Sequence, residues 1–154
     1  MPTLATAGHG ASIGMELDPT GSPGTFTAIA ELNGDIQWPG LGRGEAEATG
    51  HDHNIDYWVS GSLRREPFTF SINFVYNHGT HDHLTGLHDA VISNETRGFR
   101  LRGPGGTDDT DEWICSGFVT NIQQTSPVRE GVRTADVTIR MTGPQIIDGV
   151  EYGA

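Results

Sequence analysis

Along most of the chain, apolar and polar residues alternate with a period of two, in pieces short enough to be strands. The clearest piece is 67–76, where Phe68, Phe70, Ile72 and Phe74 fall on one side and Thr69, Ser71 and Asn73 on the other. A second, 134–142, sets Ala135, Val137, Ile139 and Met141 against Thr134, Asp136, Thr138 and Arg140. Segments 15–18 and 25–32 flank the turn-forming run 19–24 and predict two strands joined by a loop, with Phe26, Ala28, Ala30 and Leu32 on one face. A shorter strand over 97–102 ends at the turn Gly103-Pro-Gly-Gly106. Segment 112–123 carries apolar groups on both faces, which predicts a central strand covered on both sides.

One stretch has the helical period: over 81–93, Leu84, Leu87, His88 and Val91 recur at a spacing of three and four. Thr80 suits its N-cap and Asp82 its first turn. Segment 38–56 follows neither period, mixing four glycines with small and charged residues, and predicts a long projecting loop. The expected fold is therefore mainly β: an antiparallel β-sandwich or partial barrel with one flanking α-helix and that loop. Its length suits a single domain over 1–154, with 1–10 as a flexible N-terminal arm and 144–154 as a C-terminal extension.

Charge narrows the function. Twenty Asp and Glu stand against nine Lys and Arg, all nine of them arginine, for a net charge of −11. A field of that sign repels phosphate backbones and argues against non-specific nucleic-acid binding. The single Cys115 excludes an internal disulfide. Residues 1–14 lack a charged start and an apolar run, so no signal peptide is expected, and no stretch has the length to span a bilayer.

Candidate chemistry is sparse. Gly10-Ala-Ser12-Ile-Gly14 fits the pattern of a serine nucleophile on a strand-to-helix turn, but a Pro- and Gly-rich loop follows it instead of a helix. Gly40-Leu-Gly42-Arg-Gly44 lacks the spacing of a phosphate-cradling loop. His51 and His53 would share one face of an extended segment, whereas His81 and His83 would point apart on a helix, and no second cysteine completes a ligand set. No catalytic residue, metal or cofactor is assigned.

Order along the chain adds a resemblance. The run Trp38-Pro-Gly-Leu41 through Glu45 to Thr49-Gly-His-Asp52 resembles the long loop of phage tail tube proteins. Ser116-Gly-Phe-Val-Thr120, Asn121-Ile122 and Ala135-Asp-Val-Thr-Ile139, ending at Thr142-Gly143, resemble the closing strands of the lambda-like major tail protein. The likeness extends from about 25 to 143; the stretch 61–66, with Arg64 and Arg65, departs from the family's pattern. It implies a structural protein that assembles as hexameric rings stacked into a tube in the virion tail. DNA would pass through the lumen without specific binding, and the partners would be further copies, a tape measure protein, and tail tip (initiator) and terminator proteins. Pro39, Gly40, Leu41, Glu45, Thr49, His51 and Asp52 would then belong to a loop packing between rings. Glu31, Glu112 and Asp136 are the expected channel-lining acids. A ring protein of a contractile secretion machine and a small metal- or ligand-binding sandwich remain the alternatives.

Overall fold

The computed structural model describes residues 10–50, 55 and 57–152. Its elements are β1 (Ser12–Glu16), β2 (Phe26–Ala28), β3 (Leu32–Gln37), β4 (Leu41–Glu47), β5 (Trp58–Arg65), β6 (Phe68–Asn73), α1 (Leu87–Ile92), β7 (Arg97–Thr107), β8 (Thr110–Thr125), β9 (Thr134–Ile147) and β10 (Val150–Tyr152). The main sheet is antiparallel, in the order β2-β1-β7-β8-β9-β6-β3, with β10 on β9; β4 and β5 form a separate two-stranded ribbon. This is the expected class, antiparallel β with one flanking helix, and the sheet stays open.

Alternation builds the core. Phe68, Phe70 and Ile72 of β6, Val137 and Ile139 of β9, Phe99 and Leu101 of β7, and Ile13 and Met15 of β1 are all buried. Phe68 meets Phe99 edge-on with ring centroids 5.8 Å apart, although β8 and β9 lie between their strands. The sheet must therefore curl over onto itself. Register shifts between Cys115 and Ser116 and between Val119 and Asn121 supply the bend. At the first, the pairing on β9 skips from Gln145 to Thr142, past Pro144 and Gly143 at φ 74°. A bulge is where a proline costs no ladder hydrogen bond, so β9 runs on to Ile147 instead of stopping near 142.

Three elements differ from expectation. The strand predicted over 25–32 breaks at Ala30 and Glu31: Glu31 is left-handed at φ 59°, and Ala30 is held through its N–H by the Thr80 hydroxyl (3.3 Å) and through its C=O by His81 Nε2 (2.8 Å). Its halves become β2 and β3, on opposite edges of the sheet. The predicted loop 38–56 contains a strand, β4, paired with β5 from Leu41↔Arg65 to Glu47↔Trp58. The helix starts at Leu87, not at 81. The Asp82 carboxylate takes the N–H groups of Leu84, Thr85 and Gly86, an arrangement that competes with the helical ladder. Gly86 packs so tightly that a Cβ there would lie 2.5 Å from the backbone N of His81 and of Asp82.

Arg97 ties this irregular segment to the sheet. It is 1% exposed, yet donates to Asp89 (2.6 Å), Glu95 (2.9 Å) and the Thr85 carbonyl (2.6 Å). His81 is a second tie. Val75 N–H donates to its Nδ1 (3.1 Å), so its proton sits on Nε2 and is donated to Ala30. Burial holds its pKa below the ordinary 6.5, the Ala30 carbonyl opposing the shift and the neighbouring His78 adding to it. The neutral ring is thus the native one. As pH falls through 6.5 the unfolded chain takes up a proton that folded His81 resists, so stability declines on the acid side. Urea denaturation from pH 7.5 down to about pH 5 is expected to show a shallower loss for His81→Gln than for the parent chain.

Candidate functional site

The outward side chains of β6 and β9 are not apolar, and registration extends them into one surface. Gln123, Asp136, Ser71 and Asn33 stand side by side across β8, β9, β6 and β3. Asn121, Thr138, Thr69 and Gln37 form the row on one side, and Thr125, Thr134 and Asn73 the row on the other. They bond mostly to one another: Ser71 Oγ donates to Asp136 Oδ1 (2.6 Å), Asn33 Nδ2 to Asn73 Oδ1 (2.9 Å) and Thr69 Oγ1 to Gln37 Oε1 (3.3 Å). Asp136 is the one formal charge in these three rows, and the exposed Arg140, opposite Phe118, continues the same side of β9 beyond them. The result is a hydroxyl and amide face on four strands, backed by core, with α1 packing against β8 through the buried Leu87 and Ala90. Hydroxyl and amide groups exchange water partners readily, and within these rows they offer neither a fixed cation for phosphate nor an apolar patch for a base; Arg140 and Phe118 stand at the border of the face.

The three expected acids separate. Asp136 is exposed on the polar face, and Glu31 is exposed at the turn entering β3. Glu112 is a correction: it is 4% exposed and accepts from Arg102 Nε at 2.6 Å, while Arg102 also bonds Asp108. Burial beside Arg102 makes it structural, because an acid enclosed with its counter-ion presents no free charge. Glu112→Gln is expected to lower stability by about 2 kcal/mol, the scale of a charge-assisted hydrogen bond, in a thermal melt.

Among the described residues, both edges of the main sheet are strands with no neighbour on their outer side, β2 and β3. Backbone donors and acceptors along such edges template the addition of another strand. The third feature is the β4–β5 arm. Pro39 is buried and the Gly40 carbonyl accepts from Glu66 N–H (2.8 Å), so these two form the root of the arm. Leu41 and Glu45 lie exposed along it. Thr49, near its far end, accepts from Tyr57 N–H (2.8 Å) and donates to Glu47. His51, Asp52 and His53 lie outside the described residues. Trp58 is 56% exposed, and Leu41, Tyr57, Val59 and Leu63 are also open. A two-stranded ribbon is marginal by itself, and this one leaves several large apolar side chains open. Arg64 and Arg65, where the sequence leaves the tail-tube pattern, belong to the arm.

Ser12 opens β1 opposite Arg102, not at a strand-to-helix elbow. Gly42 and Gly44 lie within β4, so that glycine run forms a strand. Cys115 is buried, which pushes its thiol up to about 12, and it offers no thiolate at neutral pH. Among the described residues no three His, Cys, Asp or Glu side chains gather as a metal site.

No protein-family model and no curated protein matches the chain in sequence. Solved structures do match in fold. A chain of the tail of an empty gene transfer agent particle, refined with C6 symmetry, superposes with a TM-score of 0.73 at 15% identity, covering 93% of this chain and 98% of that one. A chain of the six-fold symmetrised anti-feeding prophage baseplate gives 0.65 at 11% identity, covering 97% and 100%. The SPP1 tail tube gives 0.63 at 14% identity, covering 97% and 80%. The fold is thus the one found in proteins of phage tails and related particles, as the resemblance implied.

Proposed function

We propose that the protein is a structural tail tube subunit: copies join edge to edge into hexameric rings, and the rings stack into a tube in the virion tail through which DNA passes. The observation that carries this reading is the open sheet bearing a polar face between unpaired edges. An exposed edge invites uncontrolled aggregation unless something covers it, and a closed ring of identical sheets covers every edge at once. The fold match to a tail with six-fold symmetry supports the same reading.

In that ring, the Asn33, Ser71, Asp136 and Gln123 face turns to the lumen, with α1 outside. DNA would slide over hydroxyl and amide groups, with Asp136 and Glu31 adding mild repulsion. The arm, with Leu41, Glu45 and Thr49, packs against an adjacent ring. His51 and Asp52 are assigned to the same contact. A tape measure protein filling the lumen, a tail tip complex starting the tube and a terminator ending it are the partners such an assembly needs; assembly takes place in the host cytoplasm. No step calls for a catalytic residue or cofactor. Negative-stain microscopy of the concentrated protein is expected to show rings or hollow tubes. Compact single particles at every concentration, even after seeding with tail tips, would contradict the proposal.

A further inference from the structure

The paired strands β8 and β9 form the longest element of the chain, and two complementary features sit at its opposite ends. Between Thr134 and Ile147 the ribbon spans about 40 Å at ~3.3 Å per residue. At one end, residues 126–133 connect the strands, and Val128 at their tip is 99% exposed, with Val132 and Glu130 also open. The base of this connection is pinned: the Arg133 carbonyl accepts from Phe74 N–H (2.8 Å), and its guanidinium donates to Gln124 (3.1 Å) and lies over the Phe74 ring. The tip is therefore presented on a fixed support.

At the other end lies a groove of about 380 Å³ between the root of the arm and the β9–β10 hairpin. Leu41, Leu63, Ile147 and Tyr152 give it apolar walls, and Arg43 and Arg65 line it as well. Neither arginine has a carboxylate partner among the described residues, where the ion pairs belong to Arg97 and Arg102. Arg43 Nη1 donates to the Gly61 carbonyl (3.0 Å), a neutral acceptor, and Arg65 Nη1 is buried with no acceptor among the described residues. On a chain of net charge −11, two uncompensated cations in an apolar groove mark a site for an apolar group with an acid beside it.

We propose that the occupant is a second copy of this chain: the 126–133 tip of one subunit seats Val128 in the groove of the subunit stacked against it, with Glu130 facing Arg43 and Arg65. The volume accommodates a valine and its neighbours, and Glu130 supplies the acid, with the exposed Arg129 beside it kept outside the groove and Arg133 held at the base by Gln124 and Phe74. Because knob and socket lie at opposite ends of one ribbon, each copy fills the next and is filled by the one before. Such a head-to-tail contact does not close on itself and propagates as a filament. The inference rests on the tube reading and gives the tube its polarity.

The test uses two single-cysteine variants of the full chain, Val128→Cys and Leu63→Cys, mixed, concentrated and oxidised. Native Cys115 is buried and protonated, so it does not compete. Tyr76→Cys, exposed near the same end as Val128, is the control for head-to-head contact. A Val128–Leu63 heterodisulfide in assembled tubes, with no Val128–Tyr76 product, is expected. Tubes without that heterodisulfide, or with the Tyr76 product in its place, overturn the contact and leave the tube reading intact. The heterodisulfide in a sample without tubes supports the contact and overturns the tube. Neither tubes nor heterodisulfide overturns both.

Discussion

Shortening the arm so that an Asn-Gly turn joins Leu41 directly to Arg65 is expected to leave the subunit folded and to abolish tubes. The arm contributes no strand to the main sheet, so its loss removes no core residue. The pair Leu41↔Arg65 and the bond from Glu66 N–H to the Gly40 carbonyl both remain, and two residues suffice for a tight hairpin turn. What disappears is the open apolar surface of Tyr57, Trp58, Val59 and Leu63. Thermal midpoints within a few degrees of the parent chain, with only rings or monomers in the micrograph, is the expected pair of results. A collapse of the midpoint would instead make the arm part of the fold.

The largest loss of stability is expected from Arg97→Met. Its guanidinium lies inside the protein against Asp89, Glu95 and the Thr85 carbonyl, and it joins β7 to α1 and to the turn before it. Removing one partner of a buried ion pair costs about 3–5 kcal/mol; Asp89 and Glu95 keep some access to water, which places the loss near the lower figure. Denaturant unfolding at neutral pH measures it. A change below ~1 kcal/mol would mean that packing alone holds the helix, the methionine filling the arginine's space.

What could be read from the sequence was whatever announced itself through apolar periodicity. β6 and the first part of β9 lie where Phe68 to Phe74 and Ala135 to Met141 place them, and 112–123 is a strand flanked by β7 and β9, although the exposed Asn121 and Gln123 show that it is not covered on both sides throughout. The arm was missed for a physical reason. In β4 a period of two is present, but it alternates Gly42, Gly44 and Ala46 with Arg43, Glu45 and Glu47, and a search for apolar residues passes over it. Gly44 and Gly61 face each other so closely that a Cβ on Gly61 would lie 3.0 Å from the Gly44 backbone. Long-range ties caused the other differences. The break at Ala30 depends on Thr80 and His81, some fifty residues away, and the burial of Glu112 depends on Arg102. Asp136 lies on the polar side of its strand, as its alternation requires. Which neighbours accompany it follows from registration, which the sequence alone does not supply.

Everything rests on where the polar face points once copies meet. Helical cryo-EM reconstruction of assembled tubes measures this directly. Asn33, Ser71, Asp136 and Gln123 are expected on the lumen wall, with β2 or β3 of each subunit paired to its neighbour and α1 on the exterior. A tube with those four residues on its outer surface, or subunits whose β2 and β3 edges face only solvent, would contradict it.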